Sequence, residues 1–220
     1  MTRSRPRAGC TYNVPVIAGV ILAAGASSRM GRCKALLPAG DGRSFLARLT
    51  STLADAGASP TVAVVGGNDA AIVRAVVQRD RLPIELVENP DPSRGQLSSL
   101  LVALTRLEGR RPEAALVIPV DLPLVAADTV RRIVDGWRQT RAPIVRPARR
   151  GRHGHPVLFD ASVFPDLLAA DPAVGARSVV RAHADRLLDV PTDDPGAFED
   201  IDTPEDYRRV FGVGVPGTDA

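Results

Sequence analysis

Lys34 is the one lysine in a chain whose other 27 basic residues are all arginines. It lies in the stretch VILAAGASSRMGRCKALLP, residues 20–38, a short distance after Arg29. An ammonium group is a compact charge that fits between two phosphate oxygens, whereas a guanidinium is a wide planar fork. The small residues before Arg29 leave backbone amides open to phosphate oxygens. We therefore predict that Arg29 and Lys34 bind a polyanion; the alternative is a tight turn with surface cations.

Asp121 is the second residue that could do chemistry, because it follows the apolar run ALVIPV. If both apolar runs are parallel strands, Asp121 and the Lys34 loop meet at the carboxyl edge of one sheet, where open α/β sheets bind ligands. An aspartate in this position could also serve only as a turn former or helix cap. The loop itself has neither the P-loop spacing nor the GxGxxG dinucleotide spacing.

The order of elements predicts the fold class. Apolar runs such as VIAGVILAAG, TVAVVGG and AALVIPVD alternate with amphipathic stretches, and Asn68 is expected to cap one of the helices. Continuous apolar strands separated by helices are typical of parallel sheets covered on both faces. Thr203, Pro204 and Asp206 predict a capping-box start for the last helix. We predict an α/β fold: a single three-layer domain with a Rossmann-like, mostly parallel sheet and helices on both faces.

Composition limits the class of protein. The predicted domain covers residues 15–211, between a disordered basic tail at 1–14 and a flexible C-terminal tail at 212–220. Aromatic residues make up only 4% of the chain, which argues against binding of nucleic acid. Two cysteines provide neither a disulfide framework nor a metal cluster, so we expect a cytoplasmic protein. The apolar run near the N-terminus is too short to span a membrane, so we expect no membrane segment. A signal peptide is the alternative, although Pro15 and Gly19 interrupt its apolar run.

Five motifs together resemble a known family. LAAGASSRMGRCK is similar to the signature L-A-[AG]-G-x-S-x-R-M-G-x-x-K of nucleotidyltransferases, and GQLSSL, PVDLPLV, GHPVLF and DIDTPEDY follow in the expected order. Together they cover the chain from about residue 16 to 211 and most resemble the molybdenum cofactor cytidylyltransferases of the MobA-like nucleotidyltransferase family. These enzymes join CMP to molybdopterin. The resemblance implies the nucleotide-diphospho-sugar transferase type of fold and dependence on Mg²⁺.

The resemblance also implies roles for particular residues. Lys34, Arg29 and Asp121 would be catalytic, and Asp121 with Asp202 would hold the metal, although Asp202 could belong only to the start of the last helix. Ala24 stands where guanylyl-transferring relatives have glycine, which favours CTP. The implied nucleotide-binding residues are Leu22, Ala23, Ala24, Gly25, Gly31, Gln96 and Ser99. For Gln96 and Ser99 the alternative is that they simply begin a helix.

The basic stretch RPARRGRHGHPVLF is the expected acceptor side. We predict that Arg150, Arg152 and His155 bind the terminal phosphate of the acceptor; a solvated charge run is the alternative. Elsewhere, His183 is expected on a helix surface and Trp137 at the edge of the core.

The function implied by the resemblance is Mg²⁺-dependent transfer of CMP from CTP to molybdopterin, with release of pyrophosphate. An apo molybdenum hydroxylase would then be a partner that receives the product. Two alternatives stay open: a nucleotidyltransferase for a sugar phosphate or another phosphorylated metabolite, and a non-catalytic cofactor-binding maturation protein.

Overall fold

The structure, a computed structural model, describes residues 16–217, so the predicted basic tail at 1–14 lies outside the described residues. The strands of this part are β1 Ile17–Ala23, β2 Thr61–Gly66, β3 Glu85–Asn89, β4 Ala114–Pro119, β5 Ile144–Arg149, β6 Arg152–His153, β7 Val157–Asp160 and β8 Leu188–Pro191. The α-helices are α1 Phe45–Asp55, α2 Gly67–Arg79, α3 Gln96–Leu107, α4 Ala127–Thr140, α5 Phe164–Ala169, α6 Arg177–Ala182 and α7 Pro204–Phe211.

All eight strands form one sheet. Its order is β3-β2-β1-β4-β7-β5-β6, and β8 pairs with β5. The strands β3, β2, β1 and β4 are parallel, whereas β7 runs antiparallel to both β4 and β5. The predicted α/β fold with a mostly parallel sheet and helices on both faces is therefore confirmed.

The central strands are apolar throughout because both of their faces are covered. Along β1, Ile21 packs into the core cluster that includes residues of α1, α2 and α4. Its neighbour Val20 packs into the opposite cluster, which includes residues of α3, α5 and α6. Alternation of side chains along a strand thus produces two cores from one continuous apolar run.

The pairing of β1 with β4 positions the functional edge of the sheet. Leu22 lies opposite Pro119 in this parallel pair. The loop that follows β1 and the segment that carries Asp121 therefore leave the sheet side by side, because parallel strands end at the same edge.

Three local expectations were wrong. Asn68 does not cap α2, because the helix begins at Gly67 and Asn68 already lies in its first turn. Trp137 is fully buried, and its indole N–H donates to a carboxylate oxygen of Asp160 at 2.8 Å. His183 is also buried: its Nε2 lies 2.7 Å from a carboxylate oxygen of Asp166 on α5.

Part of the segment that we expected to be a flexible C-terminal tail packs against the domain. Val215 is 2% exposed and belongs to the core cluster on the α1 side of the sheet. Transfer of an apolar side chain from water into the core is favourable, which accounts for this packing.

The capping box at the start of α7 yields a stability prediction. The Thr203 hydroxyl accepts the backbone N–H of Asp206 at 3.1 Å, and the Asp206 carboxylate accepts the backbone N–H of Thr203 at 3.1 Å. We expect Thr203→Ala to lower the free energy of unfolding, measured in urea, by about 1 kcal/mol. Thr105→Ala, at an exposed position inside α3, is the control and should cause no such loss. Equal losses in the two variants would contradict the cap.

Candidate active site

The loop after β1 is held in one shape by contacts to its own backbone. The backbone N–H groups of Met30 and Gly31 both donate to the carbonyl of Ser27 at 3.0 Å. Gly31 has a φ of +69°, a left-handed conformation that glycine adopts without strain. Met30 is 1% exposed and anchors the loop in the core. The chain then enters a single 3₁₀ turn, Lys34–Leu36, which fixes where the Lys34 side chain begins.

Asp121 and Asp202 are brought together by one backbone hydrogen bond. Asp121 follows β4, and its carbonyl accepts the backbone N–H of Ile201 at 2.8 Å. Ile201 is 1% exposed, so its burial fixes the segment that precedes α7 against the end of the sheet. Asp202 is the next residue and therefore lies beside Asp121.

Lys34 joins these two carboxylates. Its Nζ lies 3.2 Å from Oδ2 of Asp121 and also donates to Oδ1 of Asp202. Arg29 donates from Nη2 to the other Asp202 oxygen at 2.8 Å. The Lys34 side chain is 11% exposed and that of Arg29 is 68% exposed. The compact ammonium thus lies inside the cluster, and the guanidinium lies at its rim.

The two carboxyl groups differ in acidity. Burial raises the pKa of Asp121, and the Lys34 ammonium only partly opposes this shift. Burial would also raise the pKa of Asp202, but the hydrogen bonds and charges of Lys34 and Arg29 outweigh it and hold that pKa below its usual value. Asp202, which contacts two cations, is therefore the more acidic of the pair.

The residues present fit a divalent metal ion. Residues 16–217 contain no group of three or more histidine, cysteine or acidic side chains suited to a metal. Asp121 and Asp202 nevertheless converge on one cation position, which the Lys34 ammonium occupies. Mg²⁺ typically takes one or two carboxylates and completes its shell with phosphate and water. Two converging carboxylates beside the loop after β1, whose small residues leave room for phosphate, match that donor set.

A cavity of about 240 Å³ adjoins this cluster. Five of the predicted nucleotide-binding residues line it: Leu22, Ala24, Gly25, Gln96 and Ser99. Lys34 and Asp121 also face it, whereas Ala23 and Gly31 do not line it.

Asn89, at the end of β3, supports the wall of this cavity and escaped the sequence reasoning. It is 2% exposed, and its Nδ2 donates to Oγ of both Ser98 and Ser99 at 2.9 and 3.0 Å. The Ser99 hydroxyl therefore accepts a hydrogen bond from Asn89, which fixes its position in the cavity wall. The one available signal in the sequence was an amide side chain at the end of a strand-forming stretch, where the strand reaches the ligand-binding edge of the sheet.

A second cavity, of about 580 Å³, shares Leu22 and Gln96 with the first. His155, which was predicted to bind the acceptor, lines it. Arg146, Arg177 and Arg181 line it as well, and the sequence reasoning did not single them out. The spacing of Arg177 and Arg181, four residues apart on one helix, was the signal that could have found them.

The structure does not bring Arg150 and Arg152 to either cavity. Arg150 is exposed in the turn between β5 and β6. Arg152 donates to the carbonyl of Phe198 at 3.2 Å, and its guanidinium lies 6.0 Å from the Phe198 ring. Neither arginine thus lines the second cavity, and acceptor binding by Arg150 and Arg152 stays a prediction.

Comparison with known proteins agrees with this arrangement. The family model described as "MobA-like NTP transferase domain" matches residues 19–187. The chain belongs to the MobA-like NTP transferase family. The matched region includes Lys34 and Asp121 and ends before Asp202, so the pairing of Asp202 with Lys34 rests on the structure.

Relatives in this family carry different names. The chain is 32% identical to the nicotine blue oxidoreductase of Paenarthrobacter nicotinovorans, over 90% of this chain and 98% of that protein. It is 30% identical to a molybdenum cofactor guanylyltransferase of Rhodopseudomonas palustris, over 91% and 95%. It is 24% identical to the molybdenum cofactor cytidylyltransferase of Escherichia coli, over 86% and 92%.

A solved structure of a similar protein supports the fold. Rv0371c of Mycobacterium tuberculosis is 33% identical, with a TM-score of 0.74, over 90% of this chain and 98% of that one. A complex of Rv0371c with manganese aligns with a TM-score of 0.69 at 29% identity. Within the described residues, none of the helices has the length and apolar character needed to cross a membrane.

The Lys34 contacts predict how the cluster binds metal without nucleotide. The ammonium occupies the position on which both carboxylates converge, so it competes with a divalent cation. We expect Lys34→Met to raise the affinity for Mn²⁺ at pH 8 roughly tenfold, which corresponds to about 1.4 kcal/mol. Titration calorimetry measures this change. Arg29→Met removes a contact from Asp202 alone and should cause a smaller rise. Unchanged or weaker Mn²⁺ binding by Lys34→Met would show that the carboxylates do not form the metal site.

His155 predicts a pH dependence of stability. Burial lowers its pKa to about 4, although the Val117 carbonyl and the Asp200 carboxylate oppose the shift. The unfolded chain therefore binds a proton at higher pH than the folded protein, and stability falls as the pH drops below about 6.5. When the pH is lowered from 7 to 5, protonation of His155 in the unfolded chain should lower the free energy of unfolding by about 2 kcal/mol.

Urea unfolding at both pH values measures this effect. His155→Gln should lose less stability on acidification than the unsubstituted protein. The same pH dependence in His155→Gln and the unsubstituted protein would contradict the assignment.

Proposed function

We propose that this protein is a divalent-metal-dependent nucleotidyltransferase that transfers CMP from CTP to the phosphate of molybdopterin and releases pyrophosphate. One observation carries the proposal: the Lys34 ammonium between Asp121 and Asp202, beside a cavity walled by small residues. Such a site offers phosphate-binding amides, a compact cation and two hard carboxylates in one place. Membership of the MobA-like family and the names of the guanylyl- and cytidylyltransferase relatives support the same reaction.

The reaction requires alignment more than covalent chemistry. An oxygen of the acceptor phosphate attacks the α-phosphorus of the triphosphate and forms a new P–O bond. The bond from the α-phosphorus to the bridging oxygen breaks, and the β- and γ-phosphates leave as pyrophosphate. The protein contributes by holding both reactants in line and by providing positive charge where negative charge develops.

Each cation of the cluster has a place in this scheme. Lys34 is the buried cation beside the cavity, and when a metal ion takes its place between the carboxylates, its ammonium would contact the α-phosphate. Arg29 is exposed at the rim and can reach the β- and γ-phosphates without a change of the loop. Asp121 and Asp202 would hold Mg²⁺, which when bound neutralises phosphate charge and polarises the α-phosphorus.

Cytosine is the proposed base for reasons of size. The first cavity, of about 240 Å³, is smaller than the range of about 300 to 1,000 Å³ usual for small-molecule sites, and the methyl group of Ala24 is part of its wall. A single-ring base therefore fits this wall better than a purine. Delivery of the product to an apo molybdenum hydroxylase, which the sequence suggests, stays a prediction.

The relative named nicotine blue oxidoreductase supports a second candidate function, the reduction of an aromatic small molecule. A redox reaction on such a molecule needs no pair of carboxylates that converge on a cation, so the Asp121–Lys34–Asp202 cluster favours nucleotidyl transfer.

The decisive experiment measures pyrophosphate release with CTP, GTP, ATP and UTP in the presence of Mg²⁺, with and without molybdopterin. We expect release with CTP that depends on molybdopterin. Release with GTP instead of CTP would overturn the assignment of cytosine as the base. Release only when a sugar phosphate replaces molybdopterin would overturn the assignment of molybdopterin as the acceptor. Reduction of nicotine blue by NADH or NADPH, without pyrophosphate release from any nucleotide, would support the redox candidate.

Substitutions in the cluster test the mechanism. We expect Lys34→Arg to lower kcat/KM, because the wider guanidinium misplaces the charge at the α-phosphate. The decrease should correspond to a loss of about 2 to 4 kcal/mol of transition-state stabilisation. Asp121→Asn should abolish metal-dependent transfer in a folded protein, and Asp202→Asn should have a smaller effect. Arg150→Lys, outside both cavities, is the control. Near-normal turnover of Lys34→Arg or Asp121→Asn would contradict the mechanism.

A further inference from the structure

We propose that the second cavity binds an acceptor with two anionic ends, and that Arg177 and Arg181 recognise the end remote from the reacting phosphate. The proposal rests on the proposed function for the identity of the reacting end. It replaces the acceptor contacts expected of Arg150 and Arg152 with residues that line the cavity.

The positive charge of this cavity is only partly balanced within the protein. Arg146 donates to Asp189 at 2.7 Å, and Nε2 of His153 lies 3.3 Å from the same carboxylate. Arg177 and Arg181 form no ion pair with any residue among 16–217. Two unpaired guanidinium groups beside a cavity attract an anion, and their planar donor sets suit two oxygen or sulfur atoms at once.

The two arginines act from one face of α6. They are four residues apart, so their side chains lie on the same side of the helix. Val174, just before this helix, lines the same cavity and is 58% exposed. Val174 therefore adds one apolar side chain at the rim of the cavity, beside the two exposed arginines.

The rest of the cavity suits the body of a ring compound. Its apolar lining includes Leu97, Leu100, Val117, Val157 and Phe159. A volume of about 580 Å³ falls within the range of about 300 to 1,000 Å³ that is usual for small-molecule sites. His155 also lines the cavity, and its Nδ1 has no hydrogen-bond partner within the described part of the chain. Because burial lowers the pKa of this ring to about 4, it offers a neutral hydrogen-bonding group instead of a charge.

The sheet separates the two ends of the acceptor. The cavities meet at Leu22 and Gln96, near Asp121, so the reacting phosphate belongs at that junction. Arg146 lies on β5, which is separated from β4 by β7. Two strand spacings separate the backbones of β4 and β5 by about 10 Å. In this proposal the anion held beside Arg146, Arg177 and Arg181 is a second group, distinct from the attacking phosphate. The acceptor therefore needs a second anionic group, which a simple sugar monophosphate lacks and the dithiolene or bound molybdate of molybdopterin provides.

The test compares two double variants that remove the same charge. Arg177→Gln with Arg181→Gln changes the second cavity, and Arg150→Gln with Arg152→Gln changes the exposed turn outside it. Fluorescence titration without nucleotide gives the Kd for molybdenum-loaded molybdopterin, metal-free molybdopterin and ribose 5-phosphate. A separate titration gives the Kd for CTP.

We expect the cavity variant to bind molybdopterin at least tenfold more weakly, with unchanged Kd for CTP and ribose 5-phosphate, and the turn variant to bind like the unsubstituted protein. A loss confined to the molybdenum-loaded form assigns the remote group to molybdate, and an equal loss for both forms assigns it to the dithiolene. Either result supports the proposal.

Other outcomes overturn it. Equal losses in the two double variants, no loss in the cavity variant, or no binding of molybdopterin by the unsubstituted protein would each do so. A parallel loss of ribose 5-phosphate would show that the arginines hold the only phosphate of the acceptor. Because these titrations need no turnover, failure of CTP to release pyrophosphate would refute the proposed reaction and leave the arginine-dependent binding measurable.

Discussion

The Lys34 ammonium, held between the carboxylates of Asp121 and Asp202, is the interaction on which the functional edge of this protein depends. The three residues come from segments far apart in the chain, and each would be a costly, partly buried charge without the others. With Arg29 included, two cations balance two carboxylates. A dication added to this neutral cluster creates excess positive charge, which a polyphosphate is suited to offset. Under the proposed function, electrostatics would therefore couple the binding of metal and of nucleotide at one position.

Much of this edge could be predicted from the sequence because it depends on local rules. An apolar strand followed by small residues indicates where a loop can approach phosphate, and a parallel arrangement brings Asp121 to the same edge. The Thr203 capping box is also local, since its partners lie three residues apart. The resemblance to nucleotidyltransferases added Asp202, and the hydrogen bond from Ile201 to Asp121 explains physically why that carboxylate reaches Lys34.

What the sequence could not provide is the direction of side chains that depend on tertiary contacts. Arg150 and Arg152 are part of a strongly basic stretch, but the contact of Arg152 with Phe198, 46 residues away, decides where that side chain points. His183 has the pattern of a surface residue until α5 brings Asp166 to it. Arg177 and Arg181 look like solvated helix charges in the sequence. Only the position of α6 against the antiparallel part of the sheet gives them a cavity to line.

The change from parallel to antiparallel strands explains how one sheet can serve two reactants. The parallel strands β1 and β4 lead into the loop after β1 and into Asp121, whereas β7 and β5 continue the sheet sideways, and residues of both strands line the second cavity. Leu22 and Gln96 border both spaces, so a group at this boundary faces the charged cluster on one side and the apolar cavity on the other. The charged cluster and the second cavity are built from different side chains. Under the proposed function, the charges at the strand ends perform the chemistry, and the residues that α6 and β5 add beside them select the acceptor.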